Sequence, residues 1–192
     1  MFSKSYWHSS FHKLREPKYL ALTAGFIAMK IVLGSIYIPV AENLRIGITF
    51  MIVALEAAII GPGAGMISGA VTDLLGFAIF PNGPFFAGYT LTAMAGELIY
   101  GLCFYQKKMT VLRIIIAKVL NNYLVNVLLG SLWSAMLYSK AYIVYATASL
   151  IKNTLLLPVE IALLVVIFNL LAHFLVHRKL IPEPDKVPLP LK

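Results

Sequence analysis

Long apolar stretches separated by short polar links run from residue 19 to residue 176 of this 192-residue chain. The links are PVAENLR at 39–45, the glycine-rich run GPGAG at 61–65, PNGPFFAG at 81–88 and QKKMTVLR at 106–113. A helix needs about 20 apolar residues to cross the hydrocarbon core of a bilayer. The pattern therefore predicts six helical spans, at about 19–37, 46–60, 65–80, 89–105, 112–138 and 148–176.

The predicted fold class is an all-α integral membrane protein, a bundle of six transmembrane helices with both termini in the cytoplasm. Residues 1–18 are expected to form a cytoplasmic tail at the membrane interface, since they are polar but contain Phe2, Tyr6, Trp7 and Phe11. Residues 19–177 form the membrane domain, and residues 178–192 form a second cytoplasmic tail. The predicted location is the cytoplasmic membrane.

Composition supports a lipid environment. The chain is 60% hydrophobic and only 12% charged, which is more apolar surface than a soluble domain of this size can bury. The net charge of +8 does not indicate nucleic-acid binding, because the basic residues lie at the ends of apolar segments. Eleven of the 16 Lys and Arg residues fall on the side predicted to be cytoplasmic: Lys4, Lys13, Arg15, Lys18, Lys107, Lys108, Arg113, Arg178, Lys179, Lys186 and Lys192. Only Arg45 and Lys140 fall in the opposite loops.

Seven ionisable residues fall inside the predicted spans: Lys30, Glu56, Asp73, Glu97, Lys118, Lys152 and Glu160. Each costs about 2.5–3.5 kcal/mol at the middle of a membrane helix, so each needs an opposite charge, a water-filled cavity or a function. Pairing between helices is the favoured interpretation for Glu56 and Lys118. Lys30, Asp73 and Lys152 are instead expected in a polar pocket that opens to the outside.

Helical spacing predicts a polar face inside the bundle. Lys118, Asn122, Asn126 and Trp133 fall within one stripe of the fifth span, and Asn153 shares a face with Glu160 on the sixth. A similar stripe on the fourth span contains Tyr89, Thr92, Gly96 and Tyr100, with Glu97 at its margin. Amides, carboxylates and aromatic rings that converge in this way are typical of a ligand site.

A strip of small residues on the first span, formed by Ala21, Ala24, Gly25 and Ala28, lets another helix approach closely. The second helix could belong to this chain or to a partner protein, and the strip alone does not decide.

No cofactor or metal is predicted. The glycine run at 61–65 lacks the Lys and Ser/Thr of a phosphate-binding loop, so no ATPase is expected within the chain. Two histidine pairs, His8 with His12 and His173 with His177, lie in or beside polar tails without further ligands.

Three stretches resemble the folate-specific substrate-binding subunits of energy-coupling factor (ECF) vitamin transporters: ALTAGFIAMKIVLGSIYIPVAENLRI, VTDLLGFAIFPNGPFFAGYTLTAMAGELIYGL and LIKNTLLLPVEIALL. The resemblance covers about residues 20–170. It implies an ABC importer subunit with six helices that binds folate from outside with high affinity and has no ATPase. It also implies a membrane coupling subunit and two cytoplasmic ATPases as partners, with the small-residue strip as the docking face and the loaded subunit toppling to deliver its vitamin inward.

Under this resemblance each part of folate has candidate partners. Asp73 or Glu160 would accept the donors of the pterin, with Asn122 or Asn153 completing its edge. Phe85, Phe86, Tyr89 and Trp133 would stack on the rings. Arg45 would bind the glutamate tail, assisted by Lys30 or Lys152.

Three alternatives remain open from the sequence. The chain could bind another vitamin such as riboflavin, thiamine or biotin. It could be a small intramembrane enzyme that uses Asp73, Glu97 or Glu160 as acid or base. It could also be a scaffold whose charged residues only pair with each other.

Overall fold

The computed structural model describes residues 4–41, 44–81, 83–138, 141–184 and 188–191, and it shows a helical bundle with one short hairpin. In chain order the elements are α1 (Lys4–Lys13), α2 (Pro17–Ser35), β1 (Ile38–Ala41), β2 (Leu44–Ile46), α3 (Thr49–Ile60), α4 (Pro62–Ile79), α5 (Ala87–Phe104), α6 (Val111–Leu120), a π-helical segment (Asn121–Leu129), α7 (Gly130–Tyr138) and α8 (Tyr142–His177).

Within the described residues, four helical runs are long and apolar enough to cross a membrane: α2, α4, the continuous run Val111–Tyr138 and α8. Helix α3 is apolar but has only 12 residues. The outer surface is apolar too, since Leu155 is 70% exposed and Leu170 is 75% exposed on α8. An outer surface with so many exposed apolar side chains is costly in water and favourable in lipid. The chain is therefore an all-α membrane protein.

The ends of the helices follow from local chemistry. Pro17 occupies the first turn of α2, where the missing N–H costs nothing. Gly61 has φ of +89°, which ends α3, and Pro62 begins α4 at once. The run GPGAG at 61–65, predicted as a link between two spans, is thus one residue of turn, Gly61, followed by the first residues of α4. Thr110 caps α6 by accepting a hydrogen bond from the Arg113 N–H.

Two elements differ from the predicted all-α spans. The link at 39–45, expected as a polar loop, contributes to an antiparallel hairpin in which Ile38 pairs with Ile46 and Pro39 with Arg45. The fifth span is not a uniform α-helix, because residues 121–129 form a π-helical segment between α6 and α7. Such segments often occur at functional sites.

Helix α1 packs on one end of the bundle. The Ser10 hydroxyl donates to the Ile60 carbonyl and accepts from the Ala64 N–H, and the Tyr6 hydroxyl donates to the Gly101 carbonyl. The C-terminal segment reaches the same end, where the Val111 N–H donates to the Pro190 carbonyl. Both tails and the α5–α6 link therefore meet at one end of the molecule. The predicted loop residue Lys140 and the predicted tail residues Lys186 and Lys192 lie outside the described residues.

The tightly packed apolar core includes Ile59, Phe104, Ile114 and Phe168. Helices α4 and α5 pack closely at Gly69, where a Cβ would lie 2.9 Å from the Ala93 carbonyl oxygen, and at Gly101, where a Cβ would lie 2.6 Å from the Pro62 Cα. Polar side chains and open space lie toward the hairpin. The fold thus combines a packed end near α1 with a hollow end near β1 and β2.

Candidate ligand-binding site

Two adjoining cavities of about 480 Å³ each enter the hollow end. The first cavity, called lobe one, is bounded by the hairpin, α3, α5, α6, the π-helical segment, α7 and α8. The second cavity, called lobe two, is bounded by α2, α3, α4, α5, the link at 84–86, Arg45 of the hairpin and Tyr138 of α7. Residues of both lobes include Arg45, Thr49, Tyr89 and Thr92, which form the shared wall. Volumes in this range suit a small organic ligand.

An ion pair forms the floor of lobe one. Lys118 Nζ lies 3.2 Å from Glu160 Oε1, and Asn122 donates to Glu160 Oε2 at 2.7 Å. The Lys118 side chain is only 2% exposed, whereas that of Glu160 is 15% exposed. The carboxylate therefore faces the cavity from the ion pair, and the expectation that Lys118 pairs with a charge of opposite sign is confirmed.

A chain of amides extends from this floor along lobe one. Asn126 lines the cavity and donates to Asn153 Oδ1 at 3.3 Å and to Asn122 Oδ1 at 3.4 Å. The Asn153 amide in turn donates to the Ser149 carbonyl at 2.8 Å. Asn122 and Asn153 are almost fully buried behind Asn126, so they fix the position of its amide.

The π-helical segment makes this arrangement possible. Asn121 and Asn122 are consecutive, yet both side chains are buried and hydrogen-bonded in the protein interior. Asn121 donates to the Gly96 carbonyl on α5, whereas Asn122 points to Glu160 on α8. The wider turn of a π-helix changes which later residues share this side, and it adds Ser131 to the lining of lobe one.

Ser131 contributes a buried hydroxyl group to the lining of lobe one. It is 2% exposed, and its hydroxyl has no hydrogen-bond partner within the described part of the chain. A buried hydroxyl without a partner costs about 1–3 kcal/mol, and a ligand in lobe one would remove that cost.

Aromatic rings and hydroxyls form the wall between the lobes. Trp133 Nε1 donates to the Thr92 hydroxyl at 3.0 Å, which fixes the plane of the indole. The Trp133 and Phe86 ring centroids are 5.6 Å apart, and those of Phe86 and Tyr89 are 6.1 Å apart. These flat surfaces can accommodate an aromatic ligand.

The mouth of the site is basic. Arg45 on β2 is exposed, and its guanidinium lies 4.3 Å above the centre of the Tyr37 ring. Lys152 Nζ donates to the Arg45 carbonyl at 3.1 Å. The backbone contact ties α8 to the hairpin, and both cations line lobe one.

Lobe two is more aromatic and contains carboxylates. Asp73 Oδ2 accepts a hydrogen bond from the Thr90 hydroxyl at 2.6 Å, and the Phe77 and Phe85 ring centroids are 5.3 Å apart. At its floor, the Lys30 ammonium contacts Glu97 at 2.7 Å. The same ammonium lies 2.5 Å from Glu56 Oε2, so the expectation that Glu56 pairs with a basic residue is also confirmed.

The structure divides the predicted site residues between the two lobes. Glu160, Lys152 and Arg45 line lobe one, with Asn122 and Asn153 behind its surface, while Asp73, Phe85, Phe86 and Lys30 line lobe two. Tyr89 lines both lobes and Trp133 supports the wall. Lys30 was expected as an available cation, but its ammonium is engaged by two carboxylates.

Sequence reasoning overlooked the hydroxyl residues Ser68, Ser131 and Ser149. Ser68 bridges the ion pairs of lobe two, donating to Glu56 and accepting from Lys30. Ser131 lies five residues after Asn126, a spacing that an α-helical period does not place on one side. The polarity of these three serines did not indicate a ligand site, because serine also packs inside membrane helices.

The small-residue strip of α2 is unpaired within the described chain. Ala21, Ala24, Gly25 and Ala28 are all exposed, and a Cβ placed on Gly25 would meet no atom within 4 Å. No helix of the described chain therefore packs against Gly25 in this strip. No group of three or more His, Cys, Asp or Glu side chains able to hold a metal occurs among the residues described.

An apolar helical exterior and internal polar cavities define the class of this molecule, a multi-pass membrane protein with room for a small ligand. The family described as "ECF transporter, substrate-specific component" matches residues 18–173. The chain belongs to this family, whose members are transport subunits and not enzymes, with ATP hydrolysis in the partner subunits.

Individual folate transporters are also similar to this chain. The folate transporter FolT of Clostridium novyi is 38% identical over 117 residues, which cover 61% of this chain and 68% of that relative. The folate transporter FolT of Leuconostoc mesenteroides is 29% identical over 177 residues, or 89% of this chain and 91% of that relative. A crystal structure of FolT bound with folic acid has a TM-score of 0.73 and 29% identity, and the match covers 85% of this chain and 95% of that chain.

Proposed function

We propose that this chain is the high-affinity folate-binding subunit of an ECF-type ABC importer in the bacterial cytoplasmic membrane. The observation that carries this proposal is the similarity to FolT bound with folic acid, which extends over 95% of that chain. In this arrangement the helices make six spans, with the tails in the cytoplasm and the hairpin outside. The meeting of both tails at one end supports an even number of spans.

Lobe one provides the better set of partners for the pterin. Folate has a flat pterin with an amino-amide edge, and this edge needs both donors and acceptors. A carboxylate has about four acceptor positions, so Glu160 can accept from the pterin while it still pairs with Lys118 and Asn122. Asn126 presents an oriented amide, and Ser131 in the same lining presents a hydroxyl that has no hydrogen-bond partner among the described residues. Asn122 and Asn153 act by positioning Asn126.

The remaining parts of folate extend toward the mouth. The rings lie against Tyr89, with Phe86 and Trp133 supporting that wall. The two carboxylates of the glutamate tail meet Arg45 and Lys152, which lie together at the mouth. This order matches a flat aromatic head in the interior and a charged tail near water.

A reversed placement has a specific observation in its favour. Asp73 lines lobe two beside Phe85, and its carboxylate can also accept the donors of a pterin. Lys30 then lies beneath the ring at the floor. The substitutions Asn126→Leu and Asp73→Asn separate the two placements, because each removes the pterin contact of one lobe only.

Docking to the energising module completes the function. The exposed strip of α2 offers a smooth surface to a membrane coupling subunit, which would join this chain to two cytoplasmic ATPases. The loaded subunit would then topple to release folate inward.

Titration of the ligand-free protein with folic acid tests the proposal. A Trp7→Phe variant leaves Trp133 as the reporter, and saturable quenching at one folate per chain is expected. Riboflavin and thiamine should not compete. A folded protein that binds riboflavin, thiamine or biotin but not folate would refute the folate assignment and retain the transporter class. A chemically altered product recovered from the purified protein would instead indicate an enzyme.

A further inference from the structure

A buried cluster of three charged side chains links helices α2, α3 and α5 at the floor of lobe two. Lys30 Nζ lies 2.5 Å from Glu56 Oε2 and 2.7 Å from Glu97 Oε1. The exposed fractions of the Lys30, Glu56 and Glu97 side chains are 2%, 0% and 2%. Ser68 on α4 donates to Glu56 Oε1 and accepts from Lys30, but its hydroxyl carries no charge.

The charges in this cluster do not balance. Two carboxylates face one ammonium, which leaves a net charge of −1 when all three groups are ionised. A charge buried without a counter-ion costs several kcal/mol, because neither water nor an opposite charge stabilises it. Lys118 cannot compensate, since it belongs to the separate pair with Glu160.

Among the described residues, the lining of lobe two supplies no further cation next to this cluster. Asp73 on α4 is the other carboxylate of lobe two, and it is bonded to Thr90. Tyr100 on α5 is also buried, and a phenol adds no positive charge. Every charged group of lobe two apart from Lys30 and the Arg45 at its mouth is therefore acidic within the described chain.

One carboxylate oxygen of the cluster is available to bind a proton, which would cancel the excess negative charge. Glu97 is 1% exposed, and its Oε2 receives no hydrogen bond in the described structure. The Glu56 and Glu97 carboxyl groups both contact the Lys30 ammonium, which brings the two acids close together. Two ionised carboxylates on one buried ammonium would repel each other, whereas a carboxylic acid and a carboxylate can share a proton.

We propose that Glu56 and Glu97 hold one proton between them, so that the cluster is a proton-binding site and not a simple ion-pair network. With that proton bound, one carboxylate and the Lys30 ammonium are balanced and the second carboxyl is a neutral donor. The cluster then joins four helices without a net charge. Release of the proton places a charge of −1 at the floor of lobe two and loosens the contact between α3 and α5.

Infrared difference spectroscopy of the purified protein tests this proposal directly. A carboxylic-acid C=O band that shifts in D₂O is expected at neutral pH. The band should disappear in Glu56→Gln and in Glu97→Gln, because the remaining carboxylate is then balanced by Lys30. It should persist in Asp73→Asn and Glu160→Gln. Absence of the band in the wild type, or its persistence in both cluster variants, would overturn the proposal.

Thermal unfolding gives an independent measure with a matched control. Glu97→Gln should retain a Tm near that of the wild type, whereas Glu160→Gln should lower it by several degrees, because the latter leaves Lys118 without a counter-ion. The wild-type Tm should fall as the pH is raised through release of the proton, and Glu97→Gln should remove that dependence. A Tm that follows the sodium concentration at constant pH, without an acid band, would identify a bound cation in place of the proton.

Discussion

Lys118 on α6 and Glu160 on α8 are joined beneath lobe one, with 3.2 Å between Nζ and Oε1. The same ammonium lies 3.8 Å from the centre of the Phe50 ring on α3. One cation thus holds three helices around the floor of the cavity. Because Asn122 also bonds to Glu160, the ion pair and the amides of lobe one form a single unit.

Breaking this pair should weaken the fold. Lys118→Met leaves the Glu160 carboxylate without its counter-ion, and the expected loss is about 3–5 kcal/mol in the free energy of unfolding. The double variant Lys118→Met/Glu160→Gln should recover much of that loss. Chemical unfolding in mild detergent measures both, and a double variant no more stable than Lys118→Met would show that the charge pair is not the cause.

Arg45 should recognise the glutamate tail. Loss of a charge-assisted hydrogen bond costs about 1.5–3 kcal/mol, so Arg45→Ala should weaken folate binding roughly tenfold or more. A pterin that lacks the glutamate tail should lose little affinity. Calorimetry with both ligands makes the comparison, and Arg15→Ala at the opposite end serves as the control. Equal losses for the two ligands would remove this role from Arg45.

Asn126 should set the specificity for the pterin. Asn126→Leu keeps the approximate volume but removes the amide from lobe one, and a loss of more than about tenfold in folate affinity is expected. Asn169 provides a matched control, because its side chain holds the Leu189 N–H of the tail and not the cavity. Asn169→Leu should bind folate normally. Unchanged folate binding by Asn126→Leu, together with a large loss in Asp73→Asn, would place the pterin in lobe two.

The strip of α2 should serve docking and not ligand binding. A Gly25→Leu side chain points into open space, so stability and folate affinity should remain near the wild-type values. Uptake of labelled folate by cells that contain the energising module should fall strongly, as should co-purification of the coupling subunit. The exposed Ala162 on α8 offers the control Ala162→Leu. Normal uptake by Gly25→Leu would exclude this face from docking.

Lys13 should make the packing of α1 depend on pH. Burial lowers the pKa of its ammonium from 10.5 to about 8, although the side chain still donates to the Ile59 carbonyl. Between these values the packed helix binds fewer protons than the detached helix, so raising the pH through this window favours packing. Trp7 anisotropy in a Trp133→Phe background should rise accordingly. Lys13→Gln should abolish the pH dependence and Lys4→Gln should not.

Local pattern was sufficient for the helical class and for most element boundaries. The apolar lengths, Pro17, Gly61 and Pro62 act within a few residues, so their effect is visible along the chain. The sequence analysis did not predict the hairpin, because the polar residues of AENLR indicated a loop and the apolar residues on each side were too few to indicate strands. The π-helical segment was missed because its sequence fits an α-helix equally well, and its wider turns depend on contacts with other helices.

In the candidate site, too, some features could be predicted from the sequence and others depend on contacts between helices. Helical spacing indicated that Asn122, Asn153 and Glu160 face inward, since side-chain direction follows from the period of the helix. It could not assign Asn126 to the cavity surface and Asn122 to the layer behind, because that order depends on the crossing of α8 over the π-helical segment. Nor could it identify the hydroxyl of Ser131, which has no partner within the described structure.

By itself, the sequence determined that this protein resides in lipid, about where most of its apolar helices lie, and which family it resembles. These properties depend on composition, on short-range backbone chemistry and on the order of motifs. Only the tertiary structure decided that Lys30 is shared by Glu56 and Glu97 and that Lys118 pairs with Glu160. The reason is physical, because a buried charge selects its partner by distance in space, and residues on different helices meet only after the bundle has packed.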